Sequence, residues 1–381
     1  MTVTSVGRPY TLALLNGGRS ADPRQFSGIP HSLATSFEAL GVRVVPLEPG
    51  FPARVQQVVD GRIQVRTLAI DATSAVLTRK LRRRDDVDGV LVIGSGEQYV
   101  RTALPLVTYD DLTVAQAQRV GHDAPQALGP RLTAHWRRRQ ARVLRAATVC
   151  GTFTSWVADS IVDDYAIDPA AVRVLGWGRN HEPDDHGERD WETPAFLFVG
   201  VDWKRKNGEA VVRAFKALRA EWPAARLDVV GGHPRIDEDG VTGHGMLRLD
   251  RPDERSRLRG LFATATCFVM PSWNEPSGIV YAEAAAAGLS LIGTKEGGSA
   301  ELIAPGCGFV VDPGDGEELL AAMRTLAEPA AAAAAGEMAH TRSRLFTWPL
   351  VCERILRALD APEWQGRPWS PFLREDQLSH G

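Results

Sequence analysis

The chain alternates short apolar runs with longer segments of helical periodicity, a pattern typical of repeated βα units with parallel sheets. The first series predicts one helix over 30–40 and strands over 10–15, 42–46, 89–93, 106–108, 147–150 and 172–175. The second predicts helices over 209–222, 253–263 and 316–326 and strands over 196–199, 226–230, 266–270, 291–293 and 308–311. A segment rich in Gly and His after residue 230 is predicted to be a loop. The fold class is therefore α/β, with two Rossmann-like domains.

The two series are separated by a polar, charged segment at 181–194 that is bounded by prolines and predicts an interdomain linker. We therefore predict an N-terminal domain over 1–180 and a C-terminal domain over 195–345. Residues 346–381 contain three tryptophans. Because exposed Trp is costly, we expect this segment to form a helix and tail that cross back onto the N-terminal domain.

Composition narrows the class of partner. The 381 residues carry a formal net charge of −3, so no global field favours nucleic acid. Arginine clusters at 82–84 and 137–139 indicate solvated helix faces or loops, and peripheral contact with an anionic membrane or acceptor stays open. No apolar run approaches the about 18 residues of a membrane span. The N-terminus does not resemble a signal peptide, and the four cysteines are scattered, so we expect a cytoplasmic protein without a metal site.

Candidate chemistry lies in the segment 271–288, PSWNEPSGIVYAEAAAAG, which follows the predicted strand 266–270. Ligands of open α/β sheets bind beyond the carboxyl ends of the strands. A helix that starts near Gly278 would offer its first backbone N–H groups to an anion such as a diphosphate. Glu283, in the second turn, and Glu275, in the loop, could each accept hydrogen bonds from sugar hydroxyls. For a bare pair of acids, a simple helix cap would be the better interpretation.

This segment resembles the E-x7-E signature of the retaining, family 4-like glycosyltransferases with the GT-B fold. Further stretches resemble that family in the same order along nearly the whole chain, namely FSGIP at 26–30, DSIVDDYAIDPAAVRV at 159–174, FVGVDWKRKNG at 198–208, LDVVGG at 227–232 and TKEGGSAE at 294–301. The resemblance implies two Rossmann-like domains that face each other across a cleft, with the C-terminal segment crossing back to the first domain.

The resemblance also assigns candidate residues. Lys206 would contact the donor diphosphate, Glu275 the donor sugar and Glu283 the ribose. Val201 stands where the family often has Arg, and Lys204 or Arg205 could supply the missing cation. The remaining donor-site candidates, of which each glycine could instead serve only a turn, are Gly28, Gly231, Gly232, Met246, Leu247, Ser277, Gly278, Ile279 and Val280.

In the first domain the family often carries a His-Asp pair that touches the transferred sugar. Here the matching residues are Asp110 and Asp111, which with Thr113 resemble a subgroup with an Asp-x-Thr pattern. Asp110 could bind a sugar or acceptor hydroxyl, or it could cap the next helix. We count both aspartates, with Lys206 and Glu275, as candidate catalytic residues.

The resemblance implies transfer of a hexose-type sugar from a nucleotide-diphosphate donor to an acceptor hydroxyl on a small molecule or glycan. UDP is the expected nucleotide and GDP the second choice, with retention of configuration and no cofactor or metal. Glycan or natural-product biosynthesis would be the setting. A pseudo-glycosyltransferase or a catalytically silent sugar-nucleotide-binding partner remains an alternative. A dinucleotide dehydrogenase is disfavoured because the first glycine loop lacks G-x-G-x-x-G.

Overall fold

A computed structural model describes residues 8–16, 25–48, 63–96, 99–121, 129–183, 189–303 and 305–362. These residues form two compact units. Unit 1 comprises residues up to Gly176 together with those from Trp348 onwards, and unit 2 comprises Trp177–Thr347. Tryptophans 364 and 369, in the predicted C-terminal tail, lie outside the described residues.

Unit 1 is built on a six-stranded sheet in the order β2-β1-β3-β4-β5-β6, and every pairing is parallel. Its strands are β1 (Thr11–Leu15), β2 (Arg43–Pro46), β3 (Gly89–Ile93), β4 (Leu106–Asp110), β5 (Val149–Thr152) and β6 (Val172–Val174). Its helices are α1 (Ile29–Ala39), α2 (Ile63–Arg82), α3 (Val114–Val120), α4 (Gly129–Ala146), α5 (Ser155–Tyr165) and α11 (Trp348–Ala358). All residues of β1, β3 and β4 are buried, as expected of central strands covered by helices on both faces.

The helix α11 comes from the C-terminal part of the chain and packs against α1 of unit 1. The thiol of Cys352 lies 3.6 Å from the carbonyl oxygen of Leu33 on α1. Arg354, also on α11, is 1% exposed and donates to the carbonyl of Leu175 at 3.0 Å, next to the end of β6. The chain therefore returns to the first unit to complete its core.

Unit 2 repeats the architecture with a second parallel sheet in the order β12-β11-β10-β7-β8-β9. Its strands are β7 (Ala195–Gly200), β8 (Arg226–Gly231), β9 (Val241–Gly245), β10 (Cys267–Val269), β11 (Ser290–Thr294) and β12 (Gly308–Val311). Its helices are α6 (Gly208–Arg219), α7 (Pro252–Thr264), α8 (Ile279–Ala286), α9 (Gly316–Thr325) and α10 (Pro329–Ser343). The predicted class of two Rossmann-like α/β domains is confirmed.

One predicted loop is wrong. Residues Val241–Gly245 form β9, which pairs with β8 at the edge of the second sheet. This strand contains two glycines and is partly exposed along its length, so it lacks the apolar run that identifies the inner strands. Only its pairing with β8 makes it a strand.

The segment between the two series is anchored to unit 2. The guanidinium of Arg189 donates to the carbonyls of Ala265 and Ala287, at the C-terminal ends of α7 and α8, and lies 5.3 Å from the ring centre of Trp191. Burial lowers the pKa of Arg189 to about 10. The cation thus satisfies carbonyls that both helices leave without an intrahelical partner.

Candidate functional site

The loops after β7 and β8 touch through glycines at the carboxyl edge of the second sheet. Gly200 and Gly231 are paired in register, and the N–H of Gly232 donates to the carbonyl of Gly200 at 3.2 Å. A Cβ at Gly231, whose φ is +125°, would lie 1.9 Å from the oxygen of Gly200. A Cβ at Gly232 would lie 2.3 Å from the oxygen of Val201. These two predicted site glycines are therefore required by close backbone approach.

The turn after β7 directs two cations toward the loop after β10. The N–H of Lys206 donates to the carbonyl of Asp202 at 2.9 Å, which closes the turn. The carbonyl of Arg205 accepts from the N–H of Trp273 at 2.9 Å, and its guanidinium donates to the carbonyl of Asn274 at 3.0 Å. Val201, at the start of this turn, is 71% exposed and makes no such contact.

Lys206 and Glu275 form a buried ion pair at this edge, with 9% and 6% of their surfaces exposed. The same carboxylate oxygen accepts from the hydroxyl of Ser272 at 3.3 Å and lies 3.9 Å from the Arg205 guanidinium. Burial lowers the pKa of Lys206, while the Glu275 carboxylate opposes that shift. Two candidate catalytic residues, 69 positions apart, are thus in direct contact.

The segment TKEGGSAE at 294–301 holds Glu275 from the other side. The N–H of Glu275 donates to the carbonyl of Glu296 at 2.9 Å, and the N–H of Gly298 donates to the carbonyl of Glu275 at 3.1 Å. Gly297 has φ +109°, and a Cβ there would lie 2.1 Å from the oxygen of Glu275. The Glu275 loop is therefore fixed by backbone hydrogen bonds to its neighbour.

The helix α8 begins immediately after this loop and has no side-chain cap. Gly278 is its N-cap residue with φ +70°, and a Cβ there would lie 2.4 Å from the Tyr281 ring. The backbone N–H groups of Ile279 and Val280 belong to the first turn, whose donors lack intrahelical acceptors. Ser277 precedes them and is 7% exposed. The positive end of α8 thus lies next in sequence to the loop that holds Lys206 and Glu275 together.

Glu283 has a different environment from Glu275. Its carboxylate accepts hydrogen bonds from the backbone N–H groups of Asn180 and His181, in the segment that precedes β7. Burial raises its pKa from 4.5 to about 8, against the effect of these two hydrogen bonds and of Arg179. Glu283 also borders a mainly apolar cavity that is lined by Leu249 and Phe262, among others.

The predicted base-side residues Met246 and Leu247 directly follow β9. Met246 is 54% exposed, and Leu247 is half-buried. Two histidines tie this strand to its neighbour: Nε2 of His244 lies 2.6 Å from Oδ1 of Asp228, and Nε2 of His233 accepts from the N–H of Gly245 at 2.8 Å. The end of β9 therefore has a defined position beside β8.

In unit 1, Asp110 is the last residue of β4 and is 1% exposed. Its Oδ1 accepts from the N–H of Ser95 at 2.7 Å, and burial raises its pKa from 3.8 to about 7. Asp111 follows and is half-buried. The alternative that Asp110 caps the next helix is wrong, because Thr113 caps α3 and forms a capping box with Gln116.

Gly28 is the N-cap residue of α1, with φ +81°. This left-handed conformation favours glycine. It ends the short 3-10 helix Gln25–Gly28 and allows the chain to enter α1.

The sequence did not identify Ser272, Ser95 or the carbonyl of Asn274 as parts of these sites. Ser95 and the carbonyl of Asn274 act through tertiary contacts, with Asp110 and Arg205, whereas Ser272 lies only three residues before Glu275 in the same segment. Within the described residues, no group of three or more His, Cys, Asp or Glu side chains is placed to hold a metal ion. Across the same part of the chain, every helix is too short or too polar to cross a membrane.

Residues 193–329 match the family model described as "Glycosyl transferases group 1". The chain is 28% identical over 250 residues to the D-inositol 3-phosphate glycosyltransferase of Nocardioides sp.. This match covers 57% of this chain and 54% of the relative. It is 31% identical over 188 residues to the glycogen synthase of Mycobacterium tuberculosis, and this match covers 46% of this chain and 45% of the relative. The chain spans only 44% to 62% of the length of the first three curated relatives.

Solved structures share the whole fold. The sucrose-phosphate synthase of Thermosynechococcus elongatus matches with a TM-score of 0.65 at 18% identity, covering 91% of this chain and 98% of that one. Similarity at this identity establishes the fold alone. Together with the family match, it confirms the resemblance noted from the E-x7-E segment. Residues 193–329 of the second unit are therefore similar to the glycosyl transferases group 1 family, and the chain has the GT-B fold.

Proposed function

We propose that this protein is a retaining glycosyltransferase that moves a hexose-type sugar from a nucleotide-diphosphate donor to an acceptor hydroxyl. The observation that carries the proposal is the buried Lys206–Glu275 pair, held beside Arg205 and followed directly by the uncapped start of α8. Positive charge and free N–H donors there suit a diphosphate, and a carboxylate next to them suits sugar hydroxyls.

The diphosphate would be bound without a metal. An ammonium group has three N–H donors, and Lys206 uses one of them on Glu275, so two remain for phosphate oxygens. Arg205 and the N–H groups of Ile279 and Val280 would complete the site. These groups would stabilise the negative charge that develops on the leaving diphosphate.

The sugar and nucleoside would lie on either side of the diphosphate. Glu275 would accept hydrogen bonds from hydroxyls of the transferred sugar and Glu283 from the ribose diol. The bond from the anomeric carbon to the diphosphate breaks, its electron pair stays on the phosphate, and the acceptor oxygen attacks from the same face. A phosphate oxygen of the donor takes the acceptor proton, which gives retention without an enzymic base.

We propose UDP as the nucleotide and GDP as the second choice, and a small molecule or glycan as the acceptor. The enzyme would act in the cytoplasm, where activated sugars are made. The curated relatives support this substrate class, because one is named for a sugar transfer to D-inositol 3-phosphate and another for glycogen synthesis.

The proposal is tested by thermal shift and calorimetric binding with UDP-, GDP-, dTDP- and ADP-sugars. We expect one nucleotide to bind, and Lys206→Met to weaken its affinity at least tenfold. The matched control is Lys216→Met, which removes an exposed lysine paired with Glu238 and should leave the affinity unchanged. Binding that survives Lys206→Met intact would contradict the assignment of this site.

The reaction itself is tested by NMR of the glycoside formed from the donor that binds. The product should have the anomeric configuration of the donor, and an inverted product would refute the retaining mechanism. Donor binding without any new glycosidic bond or donor hydrolysis would favour a silent sugar-nucleotide-binding protein. A new carbon–nitrogen bond would favour the pseudo-glycosyltransferase alternative.

A further inference from the structure

A buried chain of hydrogen bonds lies behind Asp110 in unit 1. The N–H of Ser95, in the loop after β3, donates to Oδ1 of Asp110 at 2.7 Å. The Ser95 hydroxyl also donates to the Asp110 carboxyl, and its oxygen accepts from Nε2 of Gln140, on α4, at 3.0 Å. These three side chains are each no more than 1% exposed.

Gln140 is itself held in one orientation. Its Oε1 accepts from the N–H of Val114 at 2.8 Å and from the hydroxyl of Tyr165 on α5. The tyrosine oxygen in turn accepts from the N–H of Ala115 at 3.1 Å. With its carbonyl oxygen occupied by two donors, the amide of Gln140 must point its N–H group at Ser95. Three helices thus define the position of one serine hydroxyl.

Asp110 lies at the end of this series of hydrogen bonds, and its two carboxyl oxygens have different surroundings. Oδ2 of Asp110 is buried and has no hydrogen-bond partner of normal geometry among the described residues, while the nearby Thr108 hydroxyl, which also lacks such a partner, favours the charged form of Asp110. A buried acceptor without a partner costs about 1–3 kcal/mol, so its retention needs a compensating role. β4 ends at Asp110, at the carboxyl edge of the sheet where open α/β folds bind ligands.

We propose that Ser95 and Gln140 are positioning residues that hold Asp110 ready to accept a hydrogen bond from a substrate hydroxyl at Oδ2. This inference rests on the proposed function, because the hydroxyl would belong to the transferred sugar or to its acceptor. Asp110 is the residue that touches substrate, and the other two act through it.

The ionisation of Asp110 supports this role. Burial raises its pKa to about 7, and the N–H and hydroxyl of Ser95, together with the Thr108 hydroxyl, counteract burial by favouring the charged carboxylate. Asp111 raises the same pKa by charge repulsion. Among the residues that the structure describes, the other titratable groups that face Asp110 are Cys150 on β5 and Tyr165 on α5, whose own pKa values burial raises to about 12, so both stay neutral near pH 7.

The first test measures the titration of Asp110 by carbon-13 NMR of the full chain, with the signal assigned by its loss in Asp110→Asn. Ser95→Ala removes a donor to the charged form, so the pKa should rise by about 0.5–1. Ser95→Cys, a weaker donor of similar size, should give a smaller rise. The control Ser290→Ala removes a hydroxyl that is also fully buried but lies in unit 2, and it should leave the titration unchanged.

The second test follows sugar transfer against pH. Because the charged carboxylate accepts a hydrogen bond from a hydroxyl more strongly than the protonated acid does, the acidic limb of kcat/KM should move to higher pH in Ser95→Ala by the shift seen in NMR. If the pKa of Asp110 is unchanged in Ser95→Ala, the positioning role is overturned. If that pKa rises but the pH dependence of kcat/KM stays the same, the contact between Asp110 and substrate is overturned. If NMR shows the shift but the wild-type chain transfers no sugar from any donor, the proposed function fails and the positioning of Asp110 stands.

Discussion

At the scale of single residues, burial gives the two acids of the E-x7-E segment different chemical characters. Glu275 forms an ion pair with Lys206 and accepts a hydrogen bond from the Ser272 hydroxyl, whereas half-buried Glu283 accepts hydrogen bonds from backbone N–H groups. Burial makes a carboxyl group hold its proton more tightly than in water, and the two backbone N–H groups and Arg179 offset this effect at Glu283 only in part. The seven positions between these acids therefore separate a paired carboxylate from one that titrates in the physiological range.

Glu283 should make folding stability depend on pH. Its pKa is raised from 4.5 to about 8 in the folded chain, so between these values the folded chain binds the proton more tightly and its stability falls as pH rises. Glu283→Gln imitates the protonated form. It should match wild type near pH 5 and exceed it by about 1–3 kcal/mol at pH 9 in urea unfolding.

The control for this prediction is Glu182→Gln, because the Glu182 side chain is 72% exposed in its pair with Arg179. Its stability should follow wild type at both pH values. A Glu283→Gln variant that is less stable than wild type at pH 9 would show that the charged form is the favoured one.

At the scale of secondary-structure elements, the linker segment and the glycines decide how the helices and loops of unit 2 end. Arg189 joins the C-terminal ends of α7 and α8, and Gly297 allows the neighbouring loop to lie against Glu275. Both contacts involve backbone carbonyls, so neither depends on the identity of a partner side chain.

Arg189→Ala should lower the free energy of unfolding by about 2–4 kcal/mol, because buried carbonyls lose a charged donor. Urea denaturation measures this change. Arg213→Ala serves as the comparison, since Arg213 forms an exposed pair with Glu209 on α6 and should change stability by less than about 0.5 kcal/mol. Equal effects of the two substitutions would contradict the capping role of Arg189.

Gly297→Ala should impair donor binding, because the new Cβ would displace the carbonyl of Glu275 that now lies in its path. Calorimetry with the nucleotide that binds should show at least a tenfold loss of affinity. Gly260→Ala, on α7 where a Cβ meets nothing within 4 Å, should bind normally and gain about 0.5–1 kcal/mol of stability. Normal affinity in Gly297→Ala would mean that this loop can move without harm to the site.

At the scale of the whole molecule, unit 1 is built from two parts of the chain that are separated in sequence by unit 2. Residues 348–362 belong to the first unit although they follow the second. The core of unit 1 therefore includes side chains from both ends of the chain, such as Leu33 and Ile355, which are fully buried.

Ile355→Ala should destabilise unit 1 by about 2–4 kcal/mol through the cavity that it leaves. Hydrogen exchange followed by mass spectrometry should show faster exchange in α1 and β1, with unit 2 unchanged. Met338→Ala, at a position on α10 that is 50% exposed, should leave hydrogen exchange in both units unchanged. Faster exchange confined to unit 2 would contradict the assignment of α11 to the first core.

The sequence by itself determined the α/β class, most inner strands and the segment with Glu275 and Glu283, because apolar periodicity and motif spacing are local properties of the chain. Tertiary structure alone decided that β9 is a strand, that Lys206 pairs with Glu275 while Glu283 meets the linker, and that Ser95 holds Asp110. Each of these depends on which groups meet across distant parts of the chain and how much water they lose. The burial of a group and the partners that it meets determine its charge, its pKa and which residues its backbone position tolerates. A local sequence pattern contains no information about either.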